Sequence, residues 1–115
     1  MSKTGRSAVR EPAVEAAPIF AALGDETRLG LVARLSAGAP MSITRLTAGT
    51  DFTRQAITRH LEVLEDAGLV RGTRLGRERL WELEPKRIEL ARRSLEQISR
   101  WWDDKLAALK AKVEE

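Results

Sequence analysis

In the stretch TRQAITRHLEVLEDAGLV, residues 53–70, the apolar residues Ala56, Ile57, Leu61 and Leu64 recur at helical intervals, which describes a helix with one face turned to a core. Thr53 ahead of it supplies an N-cap hydroxyl, and Gly68 behind it supplies a stop. A helix this short cannot shelter its own apolar stripe, so the remaining segments must be disposed to cover it. The same periodicity leaves Arg54, Gln55, Thr58 and Arg59 toward solvent in the first turns, with Glu62, Glu65 and Asp66 in the second half. Basic and acidic ends are thus segregated along one helix.

The chain before this helix mixes Ser, Gly, Pro, Ala and basic residues without periodicity over residues 1–14, which reads as an irregular, flexible arm. From Glu15 an apolar pattern begins with Ile19, Phe20 and Leu23, giving a first helix over about 15–23. Gly24 then stops it and Asp25 caps the next. The second helix is predicted from about Glu26 to Ala37, burying Leu29, Val32, Ala33 and either Leu35 or Ser36. Ser42 is a candidate cap for a short third helix carrying Ile43 and Leu46, and GTD at 49–51 breaks the chain before Thr53. Two short helices on a tight link make a helix-turn-helix.

After Gly68, LVRGTRLGRERLWEL reads as two strands around a turn at Leu75-Gly76, with Leu69, Trp81 and Leu83 inward and Leu80 opposite to Trp81. Pro85 suits the first turn of a long last helix, about 85–113. There Ile88, Ala91, Leu95, Ile98, Trp102, Leu106, Leu109 and Val113 advance by threes and fours. Such a stripe is longer than a small protein can cover by itself, so dimerisation through this helix is favoured over its folding back across its own domain. The predicted fold is mainly α with a small β-hairpin, a winged helix-turn-helix in the order ααααββα, over 15–115.

A chain of 115 residues supports one modest core, and its formal charge of +3 permits an anionic partner without requiring one. There is no cysteine, and His60 is the single histidine. Thiol chemistry and most acid-base or covalent schemes therefore lack their parts, no catalytic or cofactor-binding residue is assigned, and His60 reads as structural or as bordering the polar face. No stretch approaches the roughly 20 apolar residues of a membrane span, and the reading is a soluble cytoplasmic protein with no membrane partner.

The polar residues at the start of the fourth helix have the chemistry of base readers. Arginine matches a guanine edge with two parallel hydrogen bonds, glutamine matches adenine, and threonine can bond a base or touch a thymine methyl. In the hairpin, Arg71, Arg74, Arg77 and Arg79 stand against one acid, Glu78, so the tip is suited to phosphates or a minor groove. Each arginine alone could be an ordinary solvated side chain; the grouping is what points to double-stranded DNA.

Three segments, IFAALGDETRLGLVARL, TRQAITRHLEVLEDAGLV and GRERLWEL, resemble in order and spacing the ArsR-type (ArsR/SmtB) winged-helix transcriptional regulators. The resemblance covers about Ala16 to Leu83 well and the last helix more loosely. It implies a homodimer built on the first and last helices, binding an imperfect palindromic operator and usually repressing. By position it implies groove contacts from Arg54, Gln55, Thr58 and Arg59 and a wing-tip contact from Arg77; Thr53 at the helix start and Arg74 and Arg79 of the hairpin complete the DNA-contacting set expected from the residues themselves. The corresponding dimer interface is Ile19, Phe20, Leu95, Ile98, Trp102, Leu106 and Leu109.

Many such regulators sense metals, and here the chain departs from the pattern. MSITRL stands where metal-binding members carry a Cys-x-Cys pair, and the last helix offers Asp103 and Asp104 but no histidine. Borderline metals need nitrogen or sulfur donors, and adjacent aspartates diverge on a helix, so no metal site is expected. The ending resembles a metal-free subgroup with an aromatic pair in the last helix. An unknown small-molecule effector stays open, as does whether Trp101 and Trp102 line a cavity or belong to a core. The rival reading is a winged helix whose basic face binds an acidic protein.

Overall fold

The computed structural model describes residues 6–114, with side chains from residue 13 onward. The elements are α1 (Arg6–Leu23), α2 (Glu26–Leu35), β1 (Met41–Ser42), α3 (Ile43–Thr47), α4 (Arg54–Asp66), β2 (Val70–Leu75), β3 (Glu78–Leu83) and α5 (Pro85–Glu114). This is the expected winged helix-turn-helix with one strand added. Helix α1 begins at Arg6, so 6–14 is helical and not the irregular arm expected there. Ala8, Arg10, Glu11 and Ala13 favour helix even where no apolar stripe advertises it, and they prevail over Pro12. Of the expected arm, residues 1–5 lie outside the described residues.

The caps fall where the sequence placed them. Asp25 accepts from the backbone N–H of Arg28 at 3.0 Å, Ser42 from Arg45 at 3.3 Å, and Thr53 from Ala56 at 3.0 Å. At the far end of α4, Gly68 takes φ +77°, its N–H meets the carbonyl of Glu65, and that of Leu69 meets Leu64, both at 2.9 Å. That pair of bonds is a Schellman closure, which needs a residue at ease with positive φ. Arg34 spans from α2 to the end of α3, donating to the carbonyls of Leu46 at 2.8 Å and Arg45 at 2.9 Å. These are carbonyls a five-residue helix cannot satisfy itself.

One cluster forms the core: Ile19 and Ala22 from α1, Leu31, Val32 and Leu35 from α2, Leu46 from α3, Ile57, Leu61 and Leu64 from α4, Leu69, Val70 and Trp81 from the wing, and Ala91 from α5. The α4 stripe is as expected, with Ala56 only half-buried at its edge. In α2 the expectation fails by part of a turn. Leu29 is 54% exposed, Ala33 and Ser36 face out, and Leu31 is buried in their place. Two overlapping stripes were open to this helix, and the occupied one sets Arg28 inward. There its Nε donates to the carbonyl of Ala22 at 2.6 Å, an anchorage that apolar spacing does not reveal.

The sheet has the order β1-β3-β2. Met41 pairs with Trp81 and Ser42 with Leu80, a two-residue ladder too short to read from sequence, so Ser42 serves both as strand residue and as cap of α3. The β2–β3 hairpin runs from Val70 opposite Leu83 to Leu75 opposite Glu78, which places the turn at Gly76-Arg77, one residue later than expected. Gly76 has φ +63° at the first of the two central positions, as a type II′ turn requires.

Helix α5 has 30 residues and so runs about 45 Å. Its beginning lies along α1, with Ala91 and Ser94 buried there. From Leu95 onward it carries Leu95, Trp102, Leu106, Leu109 and Val113, each more than half exposed. Surface ion pairs run along it: Arg92 bridges Glu89 at 2.6 Å and Glu96 at 2.8 Å, and Arg100 meets Glu96 at 2.8 Å, the spacing at which helix neighbours meet. The Arg92 guanidinium, hydrogen-bonded to Glu89, holds that carboxyl below the usual carboxylate range.

Candidate nucleic-acid interface

Helices α3 and α4 are joined by the turn over 48–53. In it Thr50 donates to the carbonyl of Thr47 at 2.6 Å and accepts from the N–H of Phe52 at 3.3 Å. The turn and the shared core fix the start of α4, where Arg54, Gln55 and Arg59 are exposed and Thr58 half-buried. The Thr58 hydroxyl gives its proton to the carbonyl of Arg54 at 2.8 Å. It therefore offers a partner its lone pairs and methyl group rather than a donor.

The charges of α4 run against its dipole. No acid stands in its first turn and no base in its last, although carboxylates favour a helix N-terminus and cations the C-terminus. Helix α2 does the reverse, with Glu26 in its first turn and Arg34 in its last. The order along α4 thus does not serve the helix itself. An anion placed against its first turns would meet two guanidinium groups together with the positive end of the dipole.

The wing sorts its four arginines by face and by partner. Arg71 lies opposite Glu82 and pairs with it at 2.9 Å and with Glu84 at 3.5 Å. The hydrogen bond from Arg71 to Glu82 raises its affinity for the proton further. Arg79 reaches back to α4, where both carboxylate oxygens of Glu65 accept from its Nη2 at 3.1 Å. Its guanidinium also lies over the Trp81 ring, 4.3 Å from the centroid. Arg79, named from sequence among the DNA-contacting residues, thus has its charge engaged within the chain in this structure. Arg74 and Arg77 are exposed and have no ion-pair partner among the described residues.

Sequence reasoning passed over Glu65 and Gly72. Glu65 read only as part of the acidic half of α4, yet its Oε2 also accepts from the N–H of Gly72 at 3.2 Å. The one available signal was Gly72 itself, a glycine inside a strand, which marks a close approach. His60, read from sequence as structural or as bordering the polar face, is turned toward α2. Its Nδ1 lies 3.4 Å from Nη1 of Arg28 and 3.8 Å from Oδ2 of Asp25, tying α4 to the start of α2.

A helix-turn-helix domain family matches residues 23–73. The chain is 44% identical to the HTH-type transcriptional regulator YuzN of Bacillus subtilis over 68 residues, covering 54% of this chain and 74% of that one. It is 30% identical to the arsenical resistance operon repressor of Escherichia coli over 91 residues, covering 79% and 78%. Its fold superposes on an ArsR-like transcriptional regulator from Rhodococcus sp. RHA1 with a TM-score of 0.72 at 38% identity, over 85% of this chain and 92% of that one. The chain belongs to the ArsR-type transcriptional regulators.

As an ArsR-type regulator it is a DNA-binding helix-turn-helix protein, and the α3–α4 pair is that motif. Among the described residues no group of three or more His, Asp and Glu side chains is gathered as a metal site. No helix among them is long and apolar enough to cross a membrane.

The dimer residues named from sequence divide in two. Ile19 is fully buried in the chain's own core, and Phe20 packs partly against that core. Ile19 therefore has no surface to offer a second chain. Leu95, Trp102, Leu106 and Leu109 are exposed and Ile98 half-buried. Trp101 meets Trp102 edge to face at 5.1 Å, and Lys105 Nζ lies 5.4 Å from the Trp101 ring centre.

Proposed function

We propose that this ArsR-type regulator is a homodimeric repressor that reads an inverted-repeat operator and does not respond to metals. Helix α4 enters the major groove, with Arg54, Gln55 and Arg59 on base edges and Thr58 offering its methyl group. Thr53, at the helix start, lies beside the phosphates, and Arg74 and Arg77 of the wing reach the backbone or minor groove. The observation that carries this reading is the charge order of α4, in which Arg54 stands at the end where the helix gains least from it, Arg59 follows in the second turn and the acids come last. A helix that gives up dipole stabilisation on its most exposed face has its charges placed for a partner.

Dimerisation is supported by the apolar stripe of α5 from Leu95 through Leu109, in which Leu95, Trp102, Leu106 and Leu109 are each more than half exposed among the described residues. A second copy would cover it and set two recognition helices at half-site spacing. Metal-independence is supported by the absence of cysteine and by His60 being held between α2 and α4.

The test is fluorescence anisotropy on DNA from upstream of the protein's own gene against scrambled DNA, over a range of salt. Tight, selective binding is expected, with a log-log salt slope of about −0.9 per neutralised phosphate. Changing Arg54 and Arg59 to Lys should abolish discrimination, since lysine lacks the fork. Equal binding of both DNAs, or indifference to that change, would move the basic face to an acidic protein partner. Leu95→Glu with Leu106→Glu should yield monomers in sedimentation and lose operator binding; a persistent dimer would place the interface elsewhere.

A further inference from the structure

The contact between the second half of α4 and the wing has a geometry more specific than a surface ion pair. Strand β2 is the open edge of the sheet, and Glu65 reaches across to accept from the Gly72 N–H. The same carboxylate takes Nη2 of Arg79 on both oxygens, and the guanidinium is stacked on Trp81, which is itself buried in the core. Gly72 pairs with Trp81 across the hairpin, and a Cβ at position 72 would fall 2.3 Å from Arg79 Nε. The bare backbone at Gly72 is thus the floor on which the guanidinium lies.

We infer that Glu65, acting through Arg79 and the Gly72 N–H, is a positioning residue that fixes the angle between the recognition helix and the wing, so that Arg77 reaches DNA in register with Arg54 and Arg59. This rests on the DNA-binding reading above. Arg79 and Glu65 are partly exposed, and such pairs contribute little to global stability. What the pair supplies is direction, because one carboxylate ties the helix to two points of the hairpin.

The sign of the effect separates this from simple electrostatics. Glu65→Ala raises the net charge by one and releases Arg79, which by charge alone should tighten DNA binding. Positioning requires the opposite: operator affinity falls by roughly tenfold, and the salt slope shrinks by about 0.9 for the phosphate contact that the wing loses. Gly72→Ala, which leaves the charge unchanged and evicts Arg79 sterically, should reproduce this. Arg77→Ala should weaken operator binding roughly fivefold in the wild-type background but less than about twofold in the Glu65→Ala background, the non-additivity of residues in one network. Thermal melts establish that the variants remain folded, so that the coupling does not report a global loss of fold.

Amide hydrogen exchange of the DNA-free protein gives the independent arm. Exchange at Gly72 and across the wing should accelerate in Glu65→Ala, with that of α4 unchanged. Tighter DNA binding by Glu65→Ala and Gly72→Ala, additivity with Arg77→Ala, or unaltered wing exchange would each overturn the inference. If the wild-type protein fails to discriminate operator from scrambled DNA, it is the DNA reading that falls, and the exchange arm still decides whether Glu65 holds the wing.

Discussion

Helices α2 and α4 begin with the same device, a side-chain oxygen accepting an N–H three residues on, and both bury one face in the same core. Their charges are nevertheless opposite in order. In α2, Asp25 and Glu26 stand at the start and Arg34 at the end, each aligned with the dipole, and its inward arginine is bonded to the carbonyl of Ala22. In α4 the arginines come first and the acids last. The polar residues of α2 thus serve the fold, whereas Arg54 and Arg59 do not serve the dipole of their own helix, and the proposed DNA contact rests on that contrast.

The largest effect should come from the face on which the two helices agree. Leu61→Ala, at a fully buried position of α4, is expected to cost about 2–5 kcal/mol in chemical denaturation; a smaller loss would mean that α4 docks loosely. Next, Arg54→Ala with Arg59→Ala should lower operator affinity by roughly 100-fold, given about 1–3 kcal/mol per base-reading pair. The same change should leave stability unaltered or raise it by about 0.3–1 kcal/mol, because the Arg54 cation leaves the positive end of a dipole. A fall in stability would erase the contrast with α2. Thr53→Ala removes the cap of α4 and should cost about 1 kcal/mol, with base discrimination retained.

The smallest expected effect distinguishes the two caps by pH. The backbone N–H of Arg28 holds the Asp25 carboxyl below its ordinary range, with the charges of Arg28 and His60 assisting and desolvation opposing. A lowered folded-state value means that the stabilisation is fully present above the ordinary carboxylate pKa of about 4. It is lost as pH falls through the lowered value. The cap of α4 is a threonine and does not titrate. Asp25→Asn, which keeps an accepting oxygen, should therefore flatten part of the acid limb of stability measured between neutral pH and about pH 3, and Thr53→Ser should not.

Much of this arrangement was legible along the chain. The three caps, the stop at Gly68, the α4 stripe and the start of α5 at Pro85 are all set by residues within a turn of one another, where spacing and side-chain chemistry act directly. The readings that failed were of another kind. Which of two overlapping stripes α2 buries depends on where α1 and α4 lie. Strand β1 exists because β3 lies beside it, and α1 extends to Arg6 without an apolar pattern to mark it.

The site divides along the same line. That Arg54, Gln55, Thr58 and Arg59 share an outward face follows from helical period alone, and so could be read without any structure. That Arg71 and Arg79 are engaged while Arg74 and Arg77 have no ion-pair partner among the described residues could not. Arg79 finds Glu65 fourteen positions away in the chain, and only the fold-back of the hairpin onto α4 brings them together. Periodicity reports which way a side chain points from its own element; what it meets there is decided by the packing of elements against each other.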